Sequence, residues 1–132
     1  MAENLTPVQL EVGGFEVREV MLIDYKFNQE VDREGQISGI PRGGRITIRV
    51  KAMNDGNNQL LQWMLAPNDP RDVQVTFYNT IDGSTMKELN GTGCYCVHFI
   101  EKWEDGEGHY EEVEIVCQEL KNGPVEFVNP WR

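Results

Sequence analysis

Between Arg45 and Ala52 apolar and polar residues alternate without a break. Ile46, Ile48, Val50 and Ala52 fall on one side, and Arg45, Thr47, Arg49 and Lys51 on the other. That period of two predicts a strand with one face in a core and the other in water or against a partner. The stretch before it, residues 31–44, opens at Val31, closes at Gly44 and shows no period. It is polar and holds Gly35, Gly39, Gly43, Gly44 and Pro41, more glycine than a tight hairpin requires. A loop of this length inside a compact domain is functional or disordered.

The rest of the chain reads mostly as strands. Leu10 to Val12 predicts a short first strand, with Gly13-Gly14 as its turn. In the second strand Phe15, Val17, Met21, Ile23, Tyr25 and Phe27 share one face, and Glu16, Arg18, Asp24, Lys26 and Asn28 share the other. Val20 and Leu22 interrupt the polar face, and Glu19 interrupts the apolar one. A middle that is apolar on both sides predicts a place inside the sheet. The one helix signal is NQLLQWMLA at residues 58–66, with Asn54 and Asp55 as candidate caps and Pro67 as the stop. Its apolar stripe is Leu60, Leu61, Met64 and Leu65, widened by Trp63, and so short a helix must dock on something apolar.

Strand patterns then resume. Val73, Val75 and Phe77 alternate with Gln74, Thr76 and Tyr78, and Asp82-Gly83 marks a turn. Residues 94–103 place Tyr95, Val97, Phe99 and Trp103 on one face. A glycine- and acid-rich turn at 104–108 leads into a strand at 110–120 with Val113, Ile115 and Cys117 inward. A last short strand, 125–128, precedes Asn129-Pro130-Trp131. The pattern predicts a mainly β fold: a small, closed or nearly closed antiparallel β-barrel of roughly seven or eight short strands, with one short α-helix and a long extended loop.

Composition narrows the function. A chain of 132 residues is one domain, spanning 1–132, and large enough for a real core. A net charge of −10 argues against nucleic acid as a partner, and no apolar run of about 18 residues is present to insert in a membrane. The opening MAENLTPVQL lacks the pattern of a signal peptide, and three cysteines fit a reducing cytoplasm, which makes the sequons at Asn4 and Asn90 chance matches. Charge is unevenly spread. Arg42, Arg45, Arg49 and Lys51 come without an acid, whereas residues 101–119 hold eight acids and one lysine. Either neighbouring strands of one subunit pair these charges, or the unlike patches meet on different copies, head to tail.

Candidate chemistry is thin. Cys94, Cys96 and His98 share a strand face by period two, with Cys117 able to approach them. Alternate strand residues stand roughly 6–7 Å apart, which strains chelation of one metal, so these residues read as packing rather than as a zinc site. His109 sits in the acidic turn, and no nucleophile elbow, Walker loop or paired-carboxylate signature occurs. No enzyme activity and no cofactor are expected.

The pieces FNQEVDREGQISGIPRGGRITIRVKA, LLQWMLAP, VTFYN, MKELNGTGCYCVHFIEKWED and VNPW, in that order and spacing, resemble the tube proteins of the type VI secretion system, the Hcp or TssD family, in a divergent branch. The resemblance runs nearly end to end. It implies a small β-barrel with a helix on its flank. It implies hexameric rings stacking into a hollow tube that a contractile sheath drives out of the cell, with sheath, spike and effector proteins as partners and export without a signal peptide. It also implies that the loop between the second and third strands joins subunits and rings. The residues expected at that interface are Asp32, Arg33, Glu34, Ile37, Ile40 and Arg42 in the loop, and Arg45 and Arg49 on the strand. The alternative is a cytosolic ligand-binding barrel with residues 31–44 as its lid.

Overall fold

The computed structural model describes residues 7–53, 55–106 and 108–130. Among these described residues seven strands and one helix follow in the order β1 (Val8–Val12), β2 (Arg18–Tyr25), β3 (Arg45–Lys51), α1 (Gln59–Leu65), β4 (Arg71–Tyr78), β5 (Thr85–Glu104), β6 (Gly108–Asn122) and β7 (Val125–Val128). Neighbours in the sheet run β3-β2-β1-β4-β5-β6, all antiparallel, and β3 also pairs with β6. That last pairing closes a six-strand barrel, and β7 extends the ladder along the far end of β6.

The strict alternation of β3 is realised as written: Ile46, Ile48 and Val50 are buried. Leu10, Val75, Leu89, Val113 and Ile115 meet them in the barrel interior, which is filled by side chains. Alternating residues feed this core wherever the register is unbroken, and burial of these aliphatic groups is the main stabilising term.

Periodicity misleads in two strands, each through a broken register. In β2 the pairing with β3 shifts between Val20 and Leu22. The bulge changes which parity points inward, so Arg18 and Val20 face the interior before it and Ile23 and Tyr25 after it. Val17, Met21 and Leu22 are consequently exposed, and Arg18, expected on the polar face, is buried. The interior position of β2, between β1 and β3, is as expected. In β5 a second shift lies between Cys96 and His98. Phe99 therefore packs on the core, whereas Val97 and His98 point outward. Strand β5 is also far longer than its second half alone, because the segment from Thr85 to Gly91 pairs with β4.

Helix α1 lies against β5 and buries Leu60 and Trp63. Trp63 donates from Nε1 to the Asp69 carbonyl at 2.7 Å and meets Phe15 edge-on at 6.2 Å. Leu65, expected in the apolar stripe, is 71% exposed. The N-cap is Asn58 rather than Asn54 or Asp55, and its side chain makes no capping bond. Asn54 lies outside the described residues. Asp55 instead holds the Asn57 N–H, and Asn57 holds the Gln59 N–H, two short polar turns that lead the chain into the helix. Ala66, before Pro67, is extended, the conformation that a following proline imposes.

Candidate functional site

Residues 26–44, between β2 and β3, form an ordered two-legged arm rather than an irregular loop. Asn28 and Arg42 exchange both backbone hydrogen bonds, at 3.0 and 2.8 Å. Farther out Val31 faces Ile37, and the Ser38 N–H donates to the Glu30 carbonyl. Asp32 shapes the tip. Its Oδ1 accepts from the Glu34 and Gln36 N–H groups at 3.0 and 2.9 Å, and its own N–H donates to the Gln36 carbonyl. A short acid that satisfies two turn donors holds such a tip without a core beneath it.

The root of the arm is built on aromatic contact and close backbone approach. The Phe27 ring packs on Phe127 of β7 with centroids 4.9 Å apart, and on Tyr25 at 6.2 Å. Gly43 lies directly against the Phe27 ring, where any Cβ would collide with it. Gly44 is buried at φ +84°, and its carbonyl accepts the Cys117 N–H at 2.8 Å. Asn129 completes the root by donating from Nδ2 to the carbonyls of Cys117 and Gly43. Phe27, Phe127 and Asn129 were not expected at this site. Their only sequence signal is the pairing of an aromatic at each end of a glycine-rich stretch with one just before the closing Asn-Pro.

The candidate interface residues divide into two groups. Asp32, Arg33, Glu34, Ile37, Ile40 and Arg42 all lie on the arm and are exposed. Ile37 and Ile40 are 66% and 55% exposed, and Val31 beside them is 60% exposed, an apolar set that the chain's own barrel leaves in solvent. Arg45 and Arg49 lie on β3 beyond the root. Arg45 pairs with Glu114, and Arg49 with Glu112 at 3.0 Å while stacking on Tyr110. Lys51 pairs with Glu19 at 3.2 Å. Of the two readings left open by the charge pattern, pairing between adjacent strands of one subunit is the one realised for β3 and β6. Arg45 and Lys51 are mostly exposed and the Arg49–Glu112 pair is half-buried, and surface pairs of this kind each stabilise by about 0–1 kcal/mol. Arg42 reaches Glu30 only at 3.9 Å, with both side chains about two-thirds exposed, which leaves it the freest of the four basic groups for an outside partner.

The cysteine–histidine set does not converge. The β5 bulge carries His98 to the outside, while Cys94, Cys96 and Cys117 are buried. Among the described residues no three His, Cys, Asp or Glu side chains gather as a metal site. The shared thiol hydrogen bond with Cys117, then burial, push the Cys94 thiol far up, and burial pushes Cys96 up to about 11. In the closed barrel such thiols stay protonated and shielded, and act as packing groups. His109 meets Glu101 at 2.6 Å on the surface, away from all three.

A closed antiparallel barrel filled by its own side chains, with a flank helix and a rooted arm that holds Val31, Ile37 and Ile40 in solvent, defines a small β-barrel of one definite kind. The family is shown by comparison: the family model for hemolysin coregulated protein Hcp (TssD) matches residues 6–132, and the chain belongs to that family, the tube proteins of the type VI secretion system. No curated protein sequence is significantly similar. Among solved structures, Hcp1 from Flavobacterium johnsoniae is 31% identical with a TM-score of 0.86, the match covering 92% of this chain and 98% of that one. An engineered variant of Hcp1 from E. coli EAEC 042 is 14% identical with a TM-score of 0.74, over 96% of this chain and 100% of that one. The sheath/tube terminator of an extracellular contractile injection system, PVC, shares the fold at 14% identity and a TM-score of 0.60, over 88% of this chain and 92% of that one.

Proposed function

We propose that this chain is the repeating structural subunit of a type VI secretion inner tube. Copies close into hexameric rings, rings stack into a hollow tube, and a contractile sheath expels the tube with its spike and effectors. The protein is made in the cytoplasm, is exported by the system itself and catalyses no reaction. The observation that carries this reading is the arm: an ordered, internally hydrogen-bonded projection whose Val31, Ile37 and Ile40 are left in solvent. Apolar groups held out on a shaped backbone mark a surface meant for a partner. Asp32 sets the tip, Ile37 and Ile40 supply the apolar contact, and Arg33, Glu34 and Arg42 set register by charge. Arg45 and Arg49, tied to β6, stiffen the strand from which the arm springs. The lid reading draws less support, because the barrel interior that a lid would cover is filled by Ile46, Ile48, Val75 and Ile115.

The test compares Ile40→Asp and Arg42→Glu with the wild type by circular dichroism, sizing and secretion. Both variants are expected to keep the folded barrel and lose ring or tube assembly. Normal assembly and export of both would remove the arm from the interface.

A further inference from the structure

Cys94 and Cys117 stand opposite each other in the β5–β6 register, fully buried, with their sulfurs 2.8 Å apart. The Cys117 N–H donates away from β5, to Gly44, so the two cysteines are not joined by backbone hydrogen bonds. Opposed residues of that kind in an antiparallel ladder have Cα atoms about 4.5 Å apart, inside the window of about 4.4–6.8 Å that a disulfide requires. Gly91 forms the third wall: a Cβ there would meet the two sulfurs at 2.7 and 2.8 Å. Only glycine leaves the thiols room to face each other. Cys96 lies apart, its sulfur directed to the His98 carbonyl at 3.5 Å.

We propose that Cys94 and Cys117 are a disulfide site, open as a dithiol in a reducing medium and closed as a cross-strand bridge in an oxidising one. A small disulfide serves as oxidant. One cysteine thiolate attacks it, forming a mixed disulfide and releasing one small thiolate. The second cysteine thiolate then attacks the protein sulfur of the mixed disulfide and releases the other. The two thiol protons pass to the released thiolates, the cysteines lose two electrons and the reagent gains them. Burial makes the closed barrel slow to react, so bridging proceeds through opening of β5 from β6 or during folding. The bridge would fasten β5 to β6 at the residue whose N–H carries the Gly44 carbonyl, and so would brace the arm's root. On the tube reading, export from a reducing to an oxidising space would close it. The bridge itself does not depend on that reading.

The experiment uses the full chain, purified in reductant and transferred to oxidised glutathione, both folded and during dilution from urea. Samples are quenched with iodoacetamide in urea and read by intact mass and peptide mapping. Alkylation is expected to fall from all three cysteines to Cys96 alone, with the Cys94 and Cys117 peptides joined and dithiothreitol restoring the original mass. The bridge should raise the folding equilibrium constant roughly 300-fold, the loop-closure figure for this chain separation. Cys96→Ser should keep the bridge and Cys117→Ser should lose it. Three alkylatable thiols after refolding in oxidised glutathione would overturn the proposal. So would a bridge through Cys96, or glutathione adducts that never resolve.

Discussion

Removing the Glu111 carboxylate should be among the most damaging single changes in this barrel. Arg18 and Glu111 meet at 2.8 Å with side chains only 3% exposed, and the same Arg18 Nη2 donates to the Lys51 carbonyl at 2.8 Å. One guanidinium thus ties β2 to β3 and β6 inside the closure of the barrel. Its Nε is buried with no hydrogen-bond partner among the described residues, so the pair is already incompletely satisfied. Glu111→Ala leaves a buried guanidinium with no anion, which costs about 3–5 kcal/mol. Against a typical domain stability of about 5–15 kcal/mol, that is a drop of roughly 10 °C or more in Tm. Replacing both partners, Arg18→Met with Glu111→Leu, removes the charges together and should recover most of the loss. Urea titrations of Arg18→Met, Glu111→Leu and the double variant close a mutant cycle. The exposed pair Arg42–Glu30 is the control, and Glu30→Ala should change stability by less than about 0.5 kcal/mol. A cost for Glu111→Ala no larger than that control would refute the reasoning.

Three other outcomes are expected. Trp63→Ala should cost about 3–5 kcal/mol in urea unfolding, while Leu65→Ala, two residues on but exposed, should stay within about 0.5 kcal/mol. Gly44→Ala should destabilise by about 1–3 kcal/mol and speed tryptic cleavage at Arg33 and Arg42, because φ is +84° and the new Cβ meets the Cys117 carbonyl at 3.0 Å. Cys96 alkylation in the folded protein should keep rising about tenfold per pH unit between pH 8 and 10, because the thiolate reacts and burial pushes that thiol up to about 11. The sign for stability follows: a raised folded pKa favours the protonated thiol, so that contribution is complete below the ordinary thiol range and is lost as pH rises through about 11. A rate that levels off by pH 9 would contradict it.

Where the local pattern carries the physics, the chain is readable residue by residue. Strand β3 alternates strictly because one face is core, and its inward set is the one the sequence marks. The β6 pattern of Val113, Ile115 and Cys117 is equally plain. A bulge leaves no such mark. One extra residue at Met21 or Val97 flips every later side chain, which is why Arg18 looked polar-faced and His98 looked like a companion of the cysteines. The first half of β5 was invisible for another reason: MKELNGTG is polar and holds two glycines, and only pairing with β4 and β6 makes it strand. The ion pairs of β3 were half legible. Their charges are in the sequence, but the choice of β6 as the opposing strand is set by barrel closure. The arm could be seen as unusual, yet its order rests on backbone bonds between Asn28 and Arg42 and on a root of Phe27, Phe127 and Asn129 drawn from both ends of the chain.

Assembly is the claim on which the account turns, and electron microscopy of the purified full-length protein tests it most directly. Closed six-fold rings, with the arm of each copy seated on a neighbouring copy, are the predicted result. A 15.1 kDa species alone at every concentration, with the arm free in solvent, would contradict it.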